Sequence, residues 1–206
     1  MSAEPRVGVV ACGALALHVR AIASRRGLPV DVHPLPPELH NRPERIAPAV
    51  GRLLDRLRPR YERIAVAYAE CGTKGDLDAL LSQRGIPRLT GATCYDVLSR
   101  EDVREALEAE PGTYFLTDFL VRTFDRSVVR PLGLDRYPEL RDAYFGGYTR
   151  VLWLAQKPTA DLRAAAARAA AELGLRLEVR EVGDRGLERQ VEQLVAETTM
   201  IPSLVA

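Results

Sequence analysis

Short runs with no polar position alternate along the chain with stretches in which apolar side chains recur every three or four residues. Residues 7–11, Val7-Gly-Val-Val-Ala11, predict a strand buried on both faces. Helical spacing follows over residues 14–26 and stops at Gly27-Leu-Pro29. Residues 30–33 predict a second strand, which runs into the turn Pro34-Leu-Pro-Pro37, and Ile46, Val50, Leu53, Leu54 and Leu57 give residues 43–58 a helical period. A third strand is expected at 63–68, a helix at 76–84, a short strand at 87–89 and a wet-faced helix at 102–110. Strands at 113–116 and 151–155 enclose a short helix at 119–124, Thr159 caps an Ala-rich helix that ends at Gly174, and residues 175–180 alternate like an edge strand.

Strands that alternate with helices, several of them apolar throughout, imply an α/β fold: a doubly wound, mostly parallel sheet with helices on both faces. At 206 residues and 22.8 kDa one α/β domain is expected. A faint repeat adds the expectation of a duplicated βα half, because the runs before Cys12-Gly13 and before Cys71-Gly72 are alike. Residues 133–148 match no long helix and carry Tyr137, Tyr144, Phe145 and Tyr148, which suits a lid, a partner surface or a satellite core.

Charge narrows the function classes. Lys plus Arg is 29 against 28 for Asp plus Glu, and a net charge of +1 gives no general reason to expect a nucleic-acid partner. Neither a secretory leader nor an apolar run of about 20 residues occurs, so a cytoplasmic location without a membrane partner is expected. Three cysteines at wide spacing do not suggest a disulfide framework, and in a reducing compartment they are available as ligands or nucleophiles.

Doubly wound sheets bind ligands beyond the carboxyl ends of their strands. Cys12, His40, Cys71 and Cys94 follow four successive predicted strands there, and three sulfurs with an imidazole suit zinc. A cubane iron–sulfur cluster with one open position is the second choice of cofactor. No Cys-x-x-Cys knuckle is present, so the fold itself must assemble any such site. Each cysteine alone also reads as a small buried hydrophobe, and His40 as a structural or solvated residue. His18 and His33 are weaker candidates, the first on a helix face and the second before Pro34. In Cys71-Gly-Thr-Lys-Gly75 the nucleotide fingerprints are missing, but Thr73, Lys74 and, from the earlier turn, Arg42 suit a small anionic substrate. Asp118 stands directly beyond a strand as an acid/base or orienting group, or as a helix cap. Tyr144 is a candidate to stack on a planar ligand, and Glu70, Tyr95 and Asp96 flank thiols that they would tune or merely solvate.

Several of these segments together resemble a known family. Ala11-Cys12-Gly13, Leu39-His40-Asn41-x-Pro43, Tyr68-x-x-Cys71-Gly72, Gly91-x-x-Cys94-Tyr95, Phe115-Leu-Thr-Asp118, Gly133-Leu-Asp135 and Pro138-Glu-Leu-Arg-Asp-x-Tyr-Phe145 are similar to domain of unknown function 1638. The resemblance runs over most of the chain to about residue 185 and departs from the family at Lys74, where a small residue is expected. It implies no reaction, but it associates the chain with corrinoid-linked methyl-transfer systems. The leading expectation is therefore a metal-dependent enzyme on a small substrate, with the metal held by Cys12, Cys71, Cys94 and His40. The alternatives are a non-catalytic accessory protein with a corrinoid-system partner, and a metal-free thiol enzyme whose nucleophile is Cys71 or Cys94.

Overall fold

The computed structural model describes residues 6–200. In chain order it contains β1 (Val7–Cys12), α1 (Ala16–Arg26), β2 (Val30–Leu35), 3-10 turns at Pro37–Asn41 and Pro43–Arg45, α2 (Ile46–Leu57), β3 (Arg63–Ala67), α3 (Asp76–Arg84) and α4 (Cys94–Ala109). Next come β4 (Thr113–Thr117), α5 (Asp118–Arg122), a π turn at Asp125–Val129, the one-turn α6 (Arg130–Leu132), α7 (Leu140–Phe145), β5 (Arg150–Ala155), α8 (Ala160–Leu173), β6 (Arg176–Glu181) and α9 (Arg185–Met200). Every strand pair is parallel, which makes the fold α/β with helices around parallel sheets. The strands divide between two sheets of three, ordered β2-β1-β3 and β4-β5-β6.

Two compact units carry these sheets: one runs through Val97 and adds α9, and the other is Leu98–Asp184. In the first, β1 sits at the centre with all six residues buried, in keeping with its unbroken apolar run. Beyond β3 the ladder shrinks to one bridge, Val66 to Arg88. Pro87, which has no N–H, accepts from Val66 there but cannot donate, so the expected fourth strand is a single residue. The helix α9 packs on α1, β1 and β3, and Arg25 Nη2 meets Glu188 Oε2 at 3.1 Å.

The expected helix at 102–110 starts earlier, at Cys94, and is interrupted at Ser99 (φ −159°, ψ 89°). Thr93 and Asp96 form its capping box: Thr93 N donates to Asp96 Oδ2 at 2.7 Å, and Asp96 N donates to Thr93 Oγ1 at 3.4 Å. In the second unit Trp153, Leu116, Val151, Phe124, Leu162 and Ala166 share one core. The aromatic stretch 133–148 contains α7, and Phe145 is buried in that core with its ring 5.2 Å from Tyr114, so this part is a satellite core. Tyr137 and Tyr144 stay exposed. Among the described residues no helix is long and apolar enough to cross a membrane.

Candidate functional site

Parallel register brings the carboxyl ends of β2, β1 and β3 to one edge of the first sheet. Four connections leave that edge, and each supplies one of the expected donors. Cys12 ends β1, His40 lies in the 3-10 turn after β2, Cys71 follows β3, and Cys94 opens α4. Cys12 Sγ stands 3.8 Å from His40 Nε2. Cys71 is the other sulfur beside His40, and the Cys94 thiol lies near enough to Cys12 and Cys71 to feel the charge of each.

Local structure explains this convergence. Gly13 passes so close to the turn after β2 that a Cβ there would lie 2.6 Å from the Leu35 carbonyl and 2.7 Å from Pro37 Cδ. That contact seats the turn carrying His40 against the end of β1. The imidazole is then oriented by its other nitrogen, since Nδ1 donates to the Pro37 carbonyl at 3.0 Å and leaves the Nε2 lone pair toward the sulfur. Glu70 N and Cys71 N donate to the carbonyls of Gly91 and Ala92, at 3.0 and 2.8 Å, which zips the Cys71 loop to the segment leading into Cys94.

The loop after β3 is conformationally demanding. Cys71 (φ 54°), Gly72 (φ 78°), Lys74 (φ 55°) and Gly75 (φ 90°) all sit in the left-handed region, where side-chain-bearing residues are disfavoured. Glu70 holds this shape by accepting from Gly72 N at 2.8 Å, Thr73 Oγ1 at 2.7 Å and Gly75 N at 3.2 Å. The bond from Thr73 leads the effects that hold the Glu70 carboxyl below the ordinary glutamate range. The donors that would cradle a phosphate are thus already engaged by an internal carboxylate, Thr73 is buried, and Lys74 and Arg42 are exposed.

Tyr68, the first residue after β3, was missed as a site residue because it reads as the end of an apolar run. It is fully buried, its ring lies parallel to His40 with centroids 6.1 Å apart, and among the described residues no hydrogen bond of good geometry reaches its hydroxyl, which has the Cys12 thiol beside it. Its polar neighbours are the sulfurs of Cys12 and Cys71, and burial followed by those two groups pushes the phenol well above its usual pKa. Burial likewise raises the Cys12 thiol to about 11, partly opposed by the backbone N–H groups of Ala14 and Leu15. Cys94 is raised by burial and then by Cys12 and Cys71. For His40, burial disfavours the imidazolium, yet Cys71 and the Pro37 carbonyl outweigh it and the net shift is upward.

Three sulfurs and an oriented imidazole nitrogen are the donor set that zinc or an iron–sulfur cluster prefers. A tetrahedral zinc would separate a sulfur and a nitrogen by about 3.5 Å, close to the 3.8 Å between Cys12 and His40. Among the described residues no three His, Cys, Asp or Glu side chains yet stand in a metal-holding arrangement. The fit thus lies in donor chemistry, in convergence and in an orphaned hydroxyl.

Asp118 and Tyr144 belong to the second unit. Asp118 is fully buried and accepts from Trp153 Nε1 at 3.0 Å, Gln156 N at 3.0 Å and Lys157 N at 2.8 Å. Thr117, with its side chain accepting from Leu120 N at 3.3 Å, is the cap of α5, so the carboxylate ties the end of β4 to the end of β5.

A family model described as "Protein of unknown function (DUF1638)" matches residues 34–191. The chain belongs to this family. The match takes in His40, Cys71 and Cys94 and starts after Cys12. No curated protein matches the chain.

Proposed function

We propose that this DUF1638 protein is a metal-dependent enzyme of the reducing cytoplasm acting on a small anionic or thiol substrate, with Cys12, His40, Cys71 and Cys94 holding the metal. The observation that carries the reading is the convergence of four soft or borderline donors, three after the ends of β1, β2 and β3 and one after the Val66–Arg88 bridge, toward a single sheet edge. Zinc is the first choice, and a cubane cluster on the three sulfurs is the second. When bound, zinc supplies Lewis acidity toward water, a thiol or a small substrate.

The chain's own residues do the rest. The Pro37 carbonyl takes the Nδ1–H of His40 and so aims Nε2 inward. Glu70 keeps Cys71 in its left-handed conformation at the mouth of the site. Gly72 lies beside Pro43, where an added Cβ would be 3.6 Å away, so the loops that carry Lys74 and Arg42 are neighbours. The two exposed cations suit a substrate carboxylate or phosphate.

A second reading is favoured by one feature: Cys71 combines φ 54° on a strand-to-helix turn with an adjacent imidazole. That pairing suits a thiol nucleophile with His40 as its base and no metal. Anaerobic purification with zinc and iron quantification separates the two. About one zinc per chain, lost in Cys12→Ser, Cys71→Ser and Cys94→Ser, supports the metal reading, and a brown protein supports the cluster. A metal-free protein whose Cys71 alkylates rapidly at neutral pH, and slowly in His40→Asn, supports the nucleophile. If metal content is unchanged in all three serine variants, the ligand set is wrong.

A further inference from the structure

At the amino ends of the strands in the first sheet, opposite the thiols, lies a groove of about 850 Å³. That volume falls within the range of sites that hold a whole small molecule. Among the described residues three guanidinium groups reach the groove, Arg6, Arg20 and Arg60, against one carboxylate, Asp31. Two of them are braced on the edge strand β2: Arg6 Nη2 donates to the Val30 carbonyl at 2.6 Å and Arg20 Nη2 to the Val32 carbonyl at 3.0 Å. Arg6 also donates through Nε to Asp31 at 2.9 Å. Arg60 lies over the Tyr61 ring at 5.8 Å, and among the described residues no carboxylate or carbonyl engages it.

A short relay fixes the remaining polar groups. Tyr61 donates its hydroxyl proton to Asp31 Oδ2 at 3.1 Å, so its oxygen accepts from His33 Nε2, also at 3.1 Å. Among the described residues the one side-chain hydrogen bond of His33 is this one through Nε2, which leaves its Nδ1 lone pair facing the groove side for a ligand. Burial lowers the His33 pKa, the charges of Arg60 and Arg20 lower it further, and Asp31 opposes them, so both arginines face the same imidazole. The last carbonyls of α1, at the rim of the groove, are occupied by Gly27 N and Leu28 N and do not repel an anion as bare acceptors.

We propose that this groove binds a phosphorylated small molecule, with the phosphate dianion between Arg20 and Arg60 and beside His33. Three guanidinium charges against one carboxylate leave an excess of two, which a phosphate monoester matches, and guanidinium forks suit phosphate oxygens. The space left over beside Tyr61 takes the organic body. This inference is independent of the metal reading.

The test uses the full chain in ~150 mM salt, where exposed charge pairs are largely screened. Phenyl phosphate and inorganic phosphate are titrated by calorimetry, and the His33 ring signal is followed by NMR. The chain has three histidines, so His33→Gln assigns the signal. Expected are saturable binding, phenyl phosphate at least fivefold tighter than phosphate, an upward shift of the His33 titration on binding, and at least tenfold weaker binding in Arg60→Ser. Arg60 braces no backbone group, so that variant does not depend on the strand edge surviving. Cys71→Ser should bind phenyl phosphate as the wild type does, even if it loses metal. No saturation, equal affinity for the two probes, an unmoved His33 titration or unweakened Arg60→Ser binding would each overturn the proposal.

Discussion

The two sheets end in opposite ways. At the carboxyl edge of the second, Asp118 is buried with three N–H donors on its oxygens, and Gln156 Oε1 accepts from Asp118 N at 3.0 Å. At the corresponding edge of the first sheet, Cys12 and Cys71 lie beside an imidazole and a buried phenol whose hydroxyl has no well-formed hydrogen bond among the described residues, and Cys94 lies near both sulfurs. Leaving a buried polar group unpaired costs about 1–3 kcal/mol, and folded chains rarely carry that cost without a use. A closed network of strong hydrogen bonds is what a carboxylate needs in order to be structural. A cluster of sulfurs, which bond hydrogen weakly, forms no such network, in keeping with the metal site proposed above.

Removing Asp118 tests the first half of this contrast with the largest effect. Asp118→Ala strips Trp153, Gln156 and Lys157 of one shared acceptor inside the core, and a loss of about 3–5 kcal/mol is expected in urea unfolding. Metal content should stay unchanged in whatever fraction folds, and a coupled loss would erase the distinction between the two edges.

Crowding the approach of Gly13 acts on the other edge. Gly13→Ala must push back the Leu35 carbonyl and Pro37, so a cost of about 1–3 kcal/mol is expected, together with weaker metal retention because His40 rides on that turn. Unaltered thermal stability and retention would show that His40 is not seated through this contact.

Alkaline pH gives a third handle. Burial raises the Cys12 thiol to about 11, so between the unfolded value near 9 and that figure the native state keeps a proton that the unfolded chain loses. Stability of the metal-free protein should fall across this window by roughly 2 kcal/mol, and Cys12→Ala should flatten the decline. With a metal bound the thiols are already ionised, and the decline should vanish.

The smallest effect belongs to Glu70. Its carboxyl is held below the ordinary range, so its contribution is present above the unfolded pKa and is lost as pH falls through the folded one. Glu70→Gln should cost about 1 kcal/mol at neutral pH, reduced by solvent access, and should cost nothing in strong acid. Hydrogen exchange at Gly72 and Gly75 reads this directly, because both N–H groups bond that carboxylate.

Much of the fold was legible because apolar runs and helical spacing answer to the same packing that builds the sheets. β1, α3, β5 and the Thr159-capped α8 lie close to where the pattern puts them. The strands form two sheets of three, and within the first unit the strand-like residues 87–89 form only one bridge, a limit set by the missing N–H of Pro87 and not by hydrophobicity. The early start of α4 depends on the reciprocal bonds of Thr93 and Asp96, a pair of residues that reads equally well as loop. The strand-end rule alone sends Cys12, His40, Cys71 and Cys94 toward one sheet edge. Tyr68 escaped notice because burial of a phenol becomes informative only when its hydroxyl is seen to be unpaired. Glu70 is legible as a neighbour of Cys71, but not as the brace of the loop, because two of its three partners are backbone N–H groups.

The most direct test of the shared centre is zinc and iron per chain in anaerobically purified wild type beside Cys12→Ser, His40→Asn, Cys71→Ser and Cys94→Ser. The account predicts about one metal site per wild-type chain, with a clear loss in each of the four variants. Wild-type protein that takes up neither metal when loaded, or four variants that retain it fully, would contradict it.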